Sequence, residues 1–140
     1  MSLLTFIALL FLFPCAPQTI SVSVSSTCAK AGEVRLAVYA NAKDFAAKRE
    51  IASVVRASRN GTVELDVSLP AAGTYVLAAF HDLNGNGELD RNMLGIPTEP
   101  YGFTKEPVSK WEAPGFEDVA SRFEGGKART ELRLKLWREY

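Results

Sequence analysis

The chain lacks an excess of charge of either sign. Its 16 lysines and arginines are matched by 16 aspartates and glutamates, so the formal net charge is zero. That removes the basic footprint by which nucleic-acid-binding domains are recognised. The chain also lacks an apolar run long enough to cross a bilayer. The longest, Leu3 to Phe13 with one threonine inside it, falls short of the ~20 residues a spanning helix needs. Cysteine is scarce at 2 residues, and there is 1 histidine, His81. A nucleophile–base pair therefore has one imidazole to draw on, and no serine or cysteine motif accompanies it. Basic residues do gather between Lys127 and Arg138, but they mostly alternate with Leu132, Leu134 and Leu136. That period marks the solvated face of a strand.

Residues 1–17 read as an export leader. An apolar run of this length followed by small residues fits the core of a secretory signal. The small-residue cleavage pattern is weak, since a cut after Ala16 in Pro14-Cys15-Ala16 would put Pro17 first; the body is read as residues 18–140. No basic residue precedes the run, which departs from the usual positive start. A buried N-terminal strand is the competing reading. The absence of period-2 alternation and the break at Pro14 and Pro17 weigh against it. Cys15 raises lipid anchoring as an alternative to a free periplasmic or secreted protein. A Cys15–Cys28 disulfide is not expected. Gln18 to Ser25 as an extended strand spans about 26 Å, whereas bridged Cα atoms lie about 5.5–6 Å apart.

The body alternates polar and apolar residues in short runs. Thr19 to Ser25 alternates without a fault, and Val34, Leu36 and Val38 share one face of a second strand. Asn41 to Glu50 suits a short helical turn or loop with Phe45 as its anchor. Ile51–Ser58 and Thr62–Leu69 flank Arg59-Asn60-Gly61, a strong hairpin signal because Asn and Gly tolerate positive φ. Thr74 to Phe80 is apolar on both faces and belongs inside a sheet. Residues 82–115 predict one long ordered loop, held to the body by Tyr101, Phe103 and Trp111. Phe116–Phe123 and Arg129–Trp137 predict the last strands, joined by a Gly125-Gly126 hairpin turn. About seven alternating strands with no long helix give an all-β, antiparallel two-sheet sandwich, transthyretin-like or immunoglobulin-like.

One segment carries chemistry. In Asp82-Leu83-Asn84-Gly85-Asn86-Gly87-Glu88-Leu89-Asp90, oxygen side chains fall at alternate positions in a glycine-containing turn. Counted from Asp82, these are positions 1, 3, 5 and 9 of a calcium loop. Gly87 takes the sharp-turn position 6, and the Glu88 carbonyl takes position 7. Calcium wants six to eight oxygens, and alternate residues of a tight loop converge them. The match stops at position 12, where Met93 stands in place of a bidentate carboxylate. Glu99 or Asp118 is available to supply a further ligand. The competing reading is an Asx-rich turn that caps its own backbone.

Phe80 to Asp90, continued by Asn92-Met93-Leu94-Gly95-Ile96-Pro97-Thr98-Glu99-Pro100-Tyr101-Gly102-Phe103, closely resembles the signature of the DUF2141 family of exported bacterial proteins. Pro114-Gly115-Phe116-Glu117-Asp118-Val119-Ala120 is similar to that family's second block. Gly32 to Tyr39 and Gly73-Thr74-Tyr75 also fit. The resemblance covers about residues 19–136. It implies a sandwich fold and export, supplies no established activity, and implies that a bulky apolar residue is ordinary at position 93.

Three functions compete. The first is a non-catalytic envelope module, with calcium ordering the loop and Tyr101, Phe103 and Trp111 presented, beside His81 and Glu99, to a protein or glycan partner. The second is a hydrolase using His81 with Glu99 or Asp118, which requires those groups to meet in one pocket. The third is a purely structural envelope protein in which the loop is a rigid cap.

Overall fold

A computed structural model describes residues 16–126 and 128–140. The predicted leader and Cys15 fall almost entirely outside them. The body is an all-β sandwich of two packed sheets with eight strands. These are β1 (Gln18–Ser26), β2 (Gly32–Tyr39), β3 (Ala52–Ser58), β4 (Thr62–Leu69), β5 (Gly73–Asp82), β6 (Tyr101–Phe103), β7 (Ser121–Phe123) and β8 (Ala128–Leu134). Two one-turn helices, α1 (Ala42–Ala46) and α2 (Phe116–Val119), and a 3-10 turn at Trp137–Glu139 complete it. None of the helices among the described residues is long and apolar enough to cross a membrane.

The first sheet has the order β4-β1-β8. The second has the order β3-β2-β5-β6, with β7 pairing the lower part of β5. Period-2 alternation does the sorting. Ile20, Val22 and Val24 of β1 face Val34, Leu36 and Val38 of β2 across the core, all essentially free of solvent contact. Each such side chain contributes about 1.5–3 kcal/mol of burial. β5 is buried on both faces. Tyr75, Leu77 and Ala79 join the main core, while Val76 meets Phe116 and Val119 on the outer side.

Several expectations need correction. The sandwich is not wholly antiparallel, because β1 and β8 run parallel from Ile20↔Ala128 to Ser26↔Leu134. Asn60-Gly61 does not close a hairpin, because β3 pairs β2 while β4 pairs β1. The turn carries the chain from one sheet to the other. Gly61 has φ +81°, and a Cβ there would lie 2.4 Å from the Cys28 carbonyl oxygen. Its own carbonyl accepts the Ser26 amide at 2.8 Å, which ties the crossing to β1. Gly125-Gly126 is not a hairpin turn either, since β7 pairs β5 and β8 pairs β1. Phe116–Phe123 divides into α2 and β7. Phe116 and Val119, three residues apart, bury one face of a helical turn, and Asp118 accepts the Gly115 amide at 2.8 Å. The predicted 82–115 loop is interrupted by β6, and the last strand ends at Leu134.

Candidate functional site

The loop that follows β5 is built on its first residue. Asp82 is fully buried. The Gly85 amide donates to its Oδ1 and the Gly87 amide to its Oδ2, both at 2.8 Å. Gly85 and Gly87 take φ of +72° and +81°, which glycine adopts at no steric cost and which turns both amides onto one carboxylate. The Arg35 guanidinium, projecting from β2, donates to Oδ2 from Nε at 2.9 Å and to Glu33 from its Nη2 at 2.6 Å. Burial pushes the Asp82 carboxyl up, but the two amides and Arg35 outweigh it and hold it below the usual aspartate range.

Asx turns continue the winding. Asn84 Oδ1 accepts the Asn86 amide at 3.2 Å, and Asn86 Oδ1 accepts the Glu88 amide at 3.0 Å. Both asparagine side-chain amides then donate to the carboxylate of Asp90. The five expected positions 82, 84, 86, 88 and 90 therefore belong to one closed turn. Glu88 is exposed at its outer side, and Asp90 is half-buried. Among the described residues no group of three or more His, Cys, Asp or Glu side chains is placed to hold a metal. A cation here would depend on asparagine and backbone oxygens as much as on carboxylates. Here the oxygens of Asp82, Asn84 and Asn86 accept amides of the loop itself, so a hard cation would have to share or replace those bonds. A carboxylate offers about four acceptor positions, and three of Asp82's are taken by Gly85, Gly87 and Arg35. Met93, at the twelfth position, is fully exposed and contributes no oxygen side chain.

Glu99 is buried and holds the two limbs of the loop together. Its Oε1 accepts the Leu83 amide at 2.8 Å and its Oε2 the Asp90 amide at 3.2 Å. His81 is fully buried at the end of β5. Its Nδ1 meets Ser26 Oγ of the opposite sheet at 3.0 Å, and its Nε2 has no hydrogen-bond partner. Burial pushes the imidazole below its ordinary range, and the nearby charges of Glu99 and Asp82 only partly oppose this. Asp118 sits on α2, which packs on Val76. That position is about 16 Å back along β5 from His81, at roughly 3.3 Å per residue. His81 and Glu99 are thus neighbours inside the structure, whereas Asp118 belongs to the other end of the sheet.

Tyr101 and Phe103 are half-exposed on β6, their rings edge to face with centroids 6.1 Å apart. They line a shallow depression of about 280 Å³ on the outer face of the second sheet, with Phe80, Tyr39 and the loop residues Gly87 and Leu89. Trp111 is not part of that lining. It is exposed and stands edge-on to Trp137, with the Lys110 ammonium over the Trp137 ring at 4.5 Å and 5.8 Å from the Trp111 ring. Arg35, Ser26 and Phe80 escaped the sequence reading. Their only signal was an outward-facing cation and a large ring at alternate positions of otherwise ordinary strands.

No curated protein and no solved structure matches the chain. The model of one family, described as "Uncharacterized protein conserved in bacteria (DUF2141)", matches residues 22–131, and the chain belongs to that family.

Proposed function

We propose that the chain is an exported, non-catalytic binding or structural module of the bacterial envelope, with a calcium-type loop at residues 82–90. It is periplasmic or secreted after loss of residues 1–17, with lipid attachment at Cys15 as the alternative. Within this proposal the sandwich is of the transthyretin-like or immunoglobulin-like kind. The observation that carries the loop assignment is the convergence of Asn84 and Asn86 on Asp90 around a turn already wound on Asp82. Calcium would take oxygens of Asp82, Asn84, Asn86 and Asp90 and the Glu88 carbonyl, at the weak affinity of extracellular modules.

Hydrolysis through His81 is the weaker reading. His81 has no solvent contact, and Glu99 is buried with both of its oxygens holding loop amides. Neither group is free to meet a substrate in this conformation. Thermal unfolding tests the calcium assignment. Ligand binding to the folded state alone raises stability by mass action, so millimolar calcium should raise the melting temperature by a few degrees. Asp90→Ala should remove that response. An unchanged melting temperature of the natural chain would mean that the loop is only a self-capped turn.

A further inference from the structure

The outer face of the second sheet is covered at both ends and open in the middle. Below, α1 and α2 bury Val76 together with Phe116 and Val119. Above, Gly87 and Leu89 of the loop overhang it. The register sets what lies between. Ser53, Ala37 and Ala78 are direct cross-strand neighbours on β3, β2 and β5, a row of small side chains. The row above is tall, with Val55, Arg35, Phe80 and Tyr101 paired in sequence across four strands. Phe103, the next cross-strand neighbour of Ala78, closes the small row at β6, and Tyr39 rises on the lower side; they pack on Phe45 at centroid distances of 6.3 and 5.2 Å. The result is a trough across three strands, about 10 Å long at two spacings of ~4.8 Å and stopped at β6 by Phe103. Its floor is small side chains, with Arg35 and Phe80 above, Tyr39 below and the Phe103 ring at its end.

Resting on the reading of the chain as a binding module, we infer that this trough is a binding site for a linear, neutral glycan. A sugar ring offers an apolar C–H face and a rim of hydroxyls. The trough offers the rings of Phe80, Tyr101 and Phe103 beside the polar groups of Tyr39, Ser53 and Glu50. A peptide strand has nothing to pair with on the floor, because β2 and β5 already have ladder partners on both sides. An acyl chain needs an enclosed apolar pocket, and this surface is open and partly polar.

The test is a titration of the natural chain with cellohexaose and with its N-acetylated counterpart, chitohexaose, followed by 1H–15N NMR. Saturable shifts of the Ala37, Ala78 and Phe103 amides are expected with at least one of them. Filling the floor by Ala78→Leu, or by Ser53→Tyr at an exposed position on an edge strand, should weaken binding about ten-fold or more. No binding of either sugar, shifts confined to another surface, or affinity unchanged in both variants would overturn the assignment. Calcium titration of the same samples separates the two sites. A missing calcium response with glycan binding intact removes the metal loop and leaves the trough; the reverse removes the trough.

Discussion

The buried carboxylate of Glu99 accepts the backbone amide of Asp90 at 3.2 Å while its other oxygen accepts Leu83 at 2.8 Å. One side chain thereby fixes the distance between the start and the end of the candidate loop. Hydrogen bonds to a charged acceptor contribute about 1.5–3 kcal/mol each. Glu99→Ala should therefore lower stability in urea by roughly 2–4 kcal/mol, and Glu99→Gln, which keeps one acceptor oxygen, by less. A loss below about 0.5 kcal/mol for the alanine variant, the range of ordinary surface changes, would show that the loop is held by something else.

Acid should weaken the fold in two stages. His81 has a folded pKa below its ordinary 6.5, so the unfolded chain takes up the proton first. Its stabilising contribution is complete above about pH 6.5 and declines as pH falls from there through the folded value. Asp82, also depressed, gives a second loss below its ordinary 3.8. Melting temperature should fall between pH 7 and 5 in the natural chain and stay level over that range in His81→Leu. A His81→Leu profile with the same slope would mean that another group titrates.

Arg35 already neutralises Asp82. Replacing it by glutamine removes a positive charge beside the loop and frees an acceptor position on Asp82. Calcium affinity should then rise several-fold in Arg35→Gln, with a stronger dependence on salt. Equal or lower affinity in the variant would place any bound cation away from Asp82.

Backbone closeness near His81 leaves no room for a side chain at position 32. A Cβ on Gly32 would lie 2.5 Å from the Asp82 carbonyl oxygen and 2.9 Å from His81 Nε2. Gly32→Ala should cost about 1–3 kcal/mol, as overpacking does. Gly125→Ala, with nothing within 4 Å, should cost little. Equal unfolding midpoints for the two variants would contradict the packing described.

The two-sheet architecture was legible because burial imposes a period. The run Thr19–Ser25 alternates without a fault, Val34, Leu36 and Val38 share one face, and the structure buries the faces they mark. Pairing was less legible. Asn60-Gly61 has the same local chemistry whether it closes a hairpin or crosses between sheets, and the choice rests on contacts with Ser26 and Cys28 elsewhere in the chain. The parallel partnership of β1 and β8 leaves no mark in either strand. At the candidate site, the oxygen spacing of residues 82–90 exposed the loop. Arg35 and Glu99, which brace it from a distant strand and from the returning limb, carry no pattern that announces the role. The trough was hidden for the same reason, since Ala37 and Ala78 become its floor only once β2 and β5 pair.

Calorimetric titration of calcium into the folded chain tests the central claim most directly. One saturable site is expected, with a dissociation constant of about 10⁻⁴–10⁻³ M, lost in both Asp82→Ala and Asp90→Ala. No heat at millimolar calcium, or binding unchanged in both variants, would contradict it.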